Sequence, residues 1–403
     1  MRLGWTRAFA QLWGSSLFAA AGQGMERTIS AWLALALRGD PFDVGLVLAA
    51  RMLPSFLFGL VAGTTADRHD RRRQLMLVGT LLAAGMAAYA LLARAGPLTL
   101  VLLMLLSFAI GAIQTFDTPA RQALVLDIVS RETALRALAL IALVSRFAMA
   151  LGAAGAGALI AWLDVPAALL VCAATFAAGT LALLGLHAPA IQHTVRERPP
   201  FRAALLESLR LISDLPRVRL LVAAGIACEI FGFSYMTAVP VFAQQVLAAG
   251  PEGLGALNAA AMAGATIAVA LLTSSRASRH SAVLLGAVFA GFGLALLGLA
   301  ASRELWLAGV TILAIGFCAG AYDLLLQLLI QTAVPDAQRG RAVGLWVLSI
   351  GSAPVGHLLM GAIAAAIGVV AALALSGIAT VLCALLLMAL APEFRAGARQ
   401  PRG

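Results

Sequence analysis

Apolar residues along this chain run together in long blocks, and the polar positions are confined to short stretches between them. The blocks fall at about 8–36, 44–65, 74–94, 97–117, 137–161, 166–187, 217–247, 254–275, 281–301, 305–330, 341–366 and 369–391. A helix needs about 20 such residues to cross a bilayer core. Twelve of them use roughly 240 residues and leave the remainder for loops and tails. The pattern predicts an all-α polytopic membrane protein with twelve transmembrane helices. Arg2 and Arg7 ahead of the first block resemble the start of a signal peptide, with Ala19-Ala20-Ala21 as a cleavage-site mimic. The apolar run continues to about residue 36, however, so an uncleaved first helix is expected.

Composition removes the soluble alternatives. Hydrophobic residues make up 62% of the 403 positions and charged residues 11%, whereas soluble domains carry roughly 25% charge. All 28 basic residues are Arg, and the formal net charge is +10. Nucleic-acid binders are also basic, so the placement of the charge decides. With the N-terminus inside, 22 Arg fall in inner loops and tails, 3 in outer loops (Arg38, Arg94, Arg303) and 3 within helices (Arg27, Arg51, Arg146). That bias is the positive-inside rule. It predicts an even number of crossings, both termini cytoplasmic, and a bacterial inner membrane, the Arg-for-Lys and Ala-rich usage suggesting a GC-rich genome. Cys172, Cys228, Cys318 and Cys383 lie inside apolar runs without metal-ligand spacing and read as small core residues.

The longest loop, 188–216, divides the spans into two sets of six, giving an N-terminal bundle at 1–187 and a C-terminal bundle with a short tail at 217–403. Within the loop, Phe201, Leu205, Leu209 and Ile212 recur at helical spacing among Arg202, Glu207 and Arg210. This is either an amphipathic helix on the inner surface or a simple tether. The two sets also echo one another. Ala20 to Glu26 reappears as Ala223 to Glu229 at an offset of 203, Ile128–Ala137 as Ala333–Ala342 at 205, and Phe116-Asp117 as Tyr322-Asp323 at 206. Two pseudo-symmetric six-helix bundles related by a parallel repeat describe a transporter whose halves rock about a central site.

The stretch Gly63-Thr64-Thr65-Ala66-Asp67-Arg68-His69-Asp70-Arg71-Arg72-Arg73 resembles the signature loop between helices 2 and 3 of the major facilitator superfamily, with His69-Asp70 where many members have a Gly. Within it, Arg51-Met52-Leu53-Pro54, Phe116-Asp117-Thr118-Pro119-Ala120-Arg121 and the run from Arg136 to Gly157 are most similar to the enterobactin-exporter-like and multidrug-efflux-like branch. The resemblance covers essentially the whole chain. In the signature loop, Asp67 is expected at the N-terminus of the eleventh span near Arg341, where a carboxylate gains about 0.3–1 kcal/mol from the helix dipole. Arg68 or Arg71 would pair with an acid across the halves, with Gly63 and Arg72 completing the gate; the alternative is that the cluster only sets topology. In the second half Ser275 stands where Asp67 would, so such a latch is asymmetric. Asp117 and Asp323 are potential partners for Arg121, Arg136 or Arg341, or solvated caps.

Ionisable groups at bilayer depth cost about 2.5–3.5 kcal/mol each and are functional candidates by default. Glu229, some 12 residues into the seventh span, and Glu26 at the matching place in the first are expected to handle protons or substrate, because withdrawal from water favours the neutral carboxyl. The competing reading is a structural ion pair, such as Glu26 with Arg146. Gln23, Glu26 and Arg27 are spaced to form one polar patch. Arg51 is expected to snorkel outward from the start of the second span, whereas Arg146 lies deeper. With all ionised, Glu26, Glu229, Arg27, Arg51 and Arg146 sum to +1, tilting a cavity toward anionic or zwitterionic substrates. His357 is either a second titrating group or a hydrogen-bonded packing histidine. Gly152, Gly155 and Gly157, with Gly351, Pro354, Gly356 and Gly361 in the second half, predict close helix packing. The antiporter form of the first motif has a Pro where Ala153 stands.

No ATP-binding loop, dinucleotide fingerprint, HExxH or CxxC pair is present. The expected function is therefore not enzymatic. It is export of a small organic molecule by proton antiport with alternating access, a siderophore being favoured over drug-like amphiphiles. An uptake symporter and a non-transporting sensor are the remoter alternatives. No metal or cofactor is called for, the proton gradient supplying the energy. Membrane lipid and the small-molecule substrate are the expected partners, nucleic acid is not, and a monomer is expected to suffice.

Overall fold

The computed structural model describes residues 6–96, 98–186, 214–274, 281–334, 345–346 and 348–390. Among these residues all regular structure is helical. In chain order the helices are α1 (Arg7–Arg38), α2 (Pro41–Arg68), α3 (Arg71–Ala95), α4 (Leu100–Thr115), α5 (Asp117–Ile128), α6 (Arg131–Trp162) and α7 (Val165–Leu181). After the central loop come α8 (Pro216–Ala227), a π-helical turn at Cys228–Phe233, α9 (Tyr235–Gln245), α10 (Gly250–Ser274), α11 (Ser281–Ala301), α12 (Leu305–Thr332), α13 (Ala353–Ile367) and α14 (Val369–Leu390). Ten helices of the described residues are long and apolar enough to cross a membrane, and Val165–Leu181 is a shorter apolar one. α1 is 32 residues long but less apolar, because Ser15, Ser16, Gln23, Glu26, Arg27, Thr28 and Ser30 run along it.

Helix ends follow local chemistry. Thr6, Asp70, Thr99 and Asp164 cap α1, α3, α4 and α7 by accepting a backbone N–H from three residues on. α1 stops at Gly39, whose φ of 72° gives the left-handed turn that sends the chain into α2. Inside the helices, hydroxyls satisfy themselves on the preceding turn. Ser16 donates to the Leu12 carbonyl, Thr28 to Gly24, Thr266 to Met262 and Thr380 to Ser376, at 2.8–3.1 Å, as a medium without water requires. Outward faces carry Leu57, Val61, Leu77, Leu105, Leu294 and Leu382, all more than half exposed. Such faces suit lipid rather than water.

The described chain forms two compact units. One draws on 1–39, 50–197 and 249–259, the other on 40–49, 198–248 and 260–403. Each unit thus takes in the first turns of a helix that otherwise lies in the other: α10 begins in the first unit and α2 in the second. The crossings match. In the second unit a Cβ added at Gly45 would come within 2.6 Å of the His357 carbonyl oxygen and 3.5 Å of Gly361 Cα. In the first, a Cβ at Gly255 would meet the Ala153 carbonyl oxygen at 2.8 Å and Gly157 Cα at 3.1 Å. Pro41 and Pro251 open the two segments four residues earlier. Asn258 also donates to Thr28 Oγ1 at 3.1 Å inside the first unit.

Backbone-to-backbone approach recurs where α1 meets α6. A Cβ on Gly24 would lie 2.1 Å from the Met149 carbonyl oxygen, and one on Gly152 would lie 2.0 Å from that of Ala21. Gly155, by contrast, has nothing within 4 Å of an added Cβ. Close packing was expected of the glycines on this helix, and Gly152 and Gly157 provide it. Gly152→Ala is expected to separate α1 from α6 and destabilise by about 1–3 kcal/mol. Gly155→Ala should be neutral or stabilising by up to about 1 kcal/mol, and thermal unfolding of the two purified variants decides between these signs.

Candidate transport site

The first unit holds an ion pair at the depth of its longest helices. Glu26 stands 12 residues before the end of α1, about 18 Å along the axis at 1.5 Å per residue, and it is fully buried. Its partner is Arg51 from α2. Arg51 Nε donates to both carboxylate oxygens, at 3.0 and 2.9 Å, and Nη2 donates to Oε2 at 2.6 Å. Nη2 also reaches Gln114 Oε1 on α4 at 2.5 Å, and Ser30 Oγ donates to Glu26 Oε1 at 3.2 Å. Arg51 comes this close because α4 presents Gly111 to its backbone, where a Cβ would sit 2.1 Å from the Arg51 carbonyl oxygen. Arg51 therefore does not snorkel outward. The alternative pair of Glu26 with Arg146 does not form either: Arg146 is half-buried on α6 and makes no hydrogen bond or ion pair among the described residues.

Around this pair the polar groups are not all answered. Arg27 is in Coulombic range of Arg51 and Glu26, yet its Nε is sealed from solvent with no acceptor. Gln114 Nε2 and Tyr89 Oη are likewise buried without a partner among the described residues, as is Ser107 Oγ seven residues earlier on α4, and Tyr89 on α3 is in Coulombic range of Glu26. Gln23, one turn before Arg27, makes no hydrogen bond among the described residues.

At the signature-loop end of the same unit the charges are consumed internally. Arg71 Nε donates to the Ala66 carbonyl that ends α2, at 3.1 Å, and Nη1 donates to the Ala123 carbonyl at 3.3 Å and to the Asp127 carboxylate on α5. An acid of the same unit thus engages Arg71. Arg72 Nε caps the end of α7 through the Leu183 carbonyl at 2.9 Å. Arg121 forms a two-pronged pair with Asp117, at 2.9 and 2.7 Å, and reaches Ser16 Oγ at 3.0 Å. Gln74 holds the Phe116 carbonyl at 3.1 Å. Gly63 lies within α2 and Arg68 is exposed at its end. The Asp67 side chain and Arg341 lie outside the described residues, as does 187–213.

The second unit answers its acid differently. Glu229 occupies the second position of the π-helical turn Cys228–Phe233, a local rewinding that is frequent at functional sites. It makes no hydrogen bond or ion pair among the described residues, and Asp323 is in Coulombic range. Asp323 itself accepts a hydrogen bond from Trp346 Nε1 at 3.0 Å. The contrast with Glu26 has a structural origin. A Cβ added to Gly316 would lie 2.0 Å from the Ala261 carbonyl oxygen, just as one on Gly111 would meet that of Arg51, so Ala261 takes the place at this crossing that Arg51 has in the first unit. His357 is buried, with Nδ1 2.9 Å from Thr237 Oγ1, which is the packing arrangement.

Gln114, Tyr89, Ser107 and Asp127 were not singled out from the sequence. Gln114 carried a signal, since a lone amide two residues before Phe116-Asp117 is unusual in an apolar span; the others had none. For the ion pair, Arg51→Gln alone is expected to cost about 3–5 kcal/mol by stranding Glu26, and Glu26→Gln with Arg51→Gln should recover most of it. A double-mutant cycle on thermal unfolding measures this.

Comparison with known proteins fits this architecture. The sequence pattern of the transmembrane secretion effector family matches residues 5–402. The chain is 24% identical over 360 residues to the staphyloferrin A transporter of Staphylococcus aureus, spanning 87% of this chain and 88% of that one. It is 29% identical over 365 residues to the enterobactin exporter EntS of Citrobacter koseri, covering 88% and 84%. With the multidrug efflux pump Tap of Mycolicibacterium fortuitum it shares 28% over 366 residues, covering 88% of each. Among solved structures, the nucleoside transporter NupG superposes with a TM-score of 0.77 at 13% identity, covering 96% of this chain and 99% of that one. A POT peptide transporter gives 0.78 at 13%, covering 98% and 96%. With its stacked apolar helices and buried charges, this chain is a multi-pass membrane transporter, not an enzyme, and it belongs to the transmembrane secretion effector family of the major facilitator type.

Proposed function

We propose that this chain is a secondary active exporter that moves a small organic molecule out of a bacterial cytoplasm by proton antiport and alternating access. Twelve spans in two six-helix halves, 1–187 and 217–403, with both termini inside and the chain working as a monomer in the inner membrane, complete the reading. Siderophores are the favoured substrates, drug-like amphiphiles the alternative; relatives named for each kind of cargo support the pair.

The observation that carries the proposal is the unequal treatment of two acids at matching places. Glu26 is held by Arg51 through three hydrogen bonds, so it is tied into the frame of the first unit. Among the described residues no cation holds Glu229, and withdrawing an unanswered carboxylate from water is costly. Binding a proton removes that cost, and exposure to water restores the charge. Glu229 is thus the proton carrier, taking H⁺ from outside and releasing it inside as the substrate leaves. The signature loop acts as the inner latch through Asp67, Arg68 and Arg341, Arg71 being engaged with Asp127.

Glu229→Gln, which mimics the protonated acid permanently, is expected to abolish gradient-driven export while leaving substrate exchange intact. A deletion strain complemented with wild type or variant, assayed for retained siderophore and drug sensitivity with and without an uncoupler, measures this. Export that survives loss of the proton gradient, or full export by Glu229→Gln, removes the coupling assignment.

A further inference from the structure

We propose that the polar cluster of the first unit is a binding subsite for an anionic group of the transported molecule, a carboxylate or ionised hydroxy-acid, with Arg27 as its principal contact. The inference deepens the export reading and rests on it only for the word transported.

Charge is the first argument. Glu26, Arg27 and Arg51 sum to +1 when ionised, and a net charge at this depth needs a counterion. Glu26 cannot serve both arginines. Its Oε1 already accepts from Arg51 Nε and Ser30 Oγ, and its Oε2 from Arg51 Nε and Nη2. Arg27 is left with a sealed, unanswered Nε.

The second argument is the kind of group left over. Tyr89 is wholly buried, and among the described residues its hydroxyl has no partner, nor has the Gln114 amide nitrogen. Buried polar groups are ordinarily hydrogen-bonded, and each orphan calls for an explanation. Here α1, α3 and α4 contribute Arg27, Tyr89 and Gln114, and every one can donate. A set of donors beside two guanidiniums suits a multi-oxygen anion and repels a lipophilic cation. A guanidinium also matches a carboxylate in planar, two-pronged geometry. Arg146 lacks this signature, since none of its nitrogens is both sealed and unanswered.

The test uses the purified full chain in detergent, titrated calorimetrically with citrate, with 2,3-dihydroxybenzoate and with ethidium. Both anions are expected to bind saturably and ethidium not to compete. Arg27→Gln should weaken the anions about 10- to 100-fold, the usual loss for a charge-assisted contact, and Arg27→Lys should recover part of it. Because Arg27 has no internal acceptor to lose, Arg27→Gln without ligand should unfold no lower than wild type; a lower midpoint would mark a structural role and overturn the proposal. Anion binding unchanged in Arg27→Gln, or ethidium bound and both anions ignored, overturns it as well. Binding is read without a gradient, so the two readings fail separately. A chain that binds anions at Arg27 but exports nothing keeps the subsite and loses the exporter. Proton-driven export of ethidium without anion binding does the reverse.

Discussion

In a bilayer core no water is available to answer a charge, so each ionised group must be met by another part of the protein or by something that comes and goes. The bond from Arg51 to Glu26 is the first solution, and the packing around it follows from that requirement. Gly111 lets α4 approach the α2 backbone, and Gln114 and Ser30 then reach the remaining lone pairs and donors. A buried pair of this kind gives little net stability against an apolar substitute, because desolvation offsets most of the attraction. Its effect is to fix α1, α2 and α4 in one register and to leave the neighbouring residue, Arg27, without an acid.

The repeat explains how one chain came to hold both solutions. Glycine-on-carbonyl crossings recur at matching places: Gly111 over Arg51 and Gly316 over Ala261, Gly45 on the His357–Gly361 turn and Gly255 on the Ala153–Gly157 turn. Crossings of this kind depend on backbone shape, so the skeleton tolerates any side chain that points away from them. The chemistry was therefore free to diverge while the packing stayed. The first half kept acid and guanidinium together; the second has Glu229 and, where the guanidinium would be, a methyl group. The helix rewinds into a π turn at Cys228–Phe233 at the same spot, a feature frequent at functional sites.

Much of this was legible in the sequence, and the physics says why. Lipid imposes one coarse rule on every span, so the apolar blocks announced a multi-pass membrane protein, and the loop motif together with the whole-chain likeness pointed to the right family. The polar stripe of Gln23, Glu26 and Arg27 was visible from helical spacing alone. What spacing does not encode is which residue of another helix lies opposite. Arg51 sits near the start of its span, where outward snorkelling is the ordinary outcome, and only the Gly111 crossing turns it inward. Arg71 finds Asp127, 56 residues on, in the same unit, a pairing that no sequence spacing announces. Tyr89 and Ser107 are unremarkable letters in apolar runs; they gain meaning only from having no partner in three dimensions.

That criterion, whether a buried polar group has a partner, also separates residues that depth alone would treat alike. His357 is as deeply placed as Glu229 and titratable in principle, but its ring is engaged with Thr237 and its backbone packs on Gly45, so a change of charge there would disrupt the second unit. Arg121 is a buried cation, and Asp117 and Ser16 use its donors, whereas the sealed Nε of Arg27 has no such partner among the described residues. Proteins rarely leave charges unanswered where the only gain is stability, since such groups are a standing cost. Glu229 and Arg27 carry that cost with opposite signs: an acid that a proton can neutralise, and a base that an anion can.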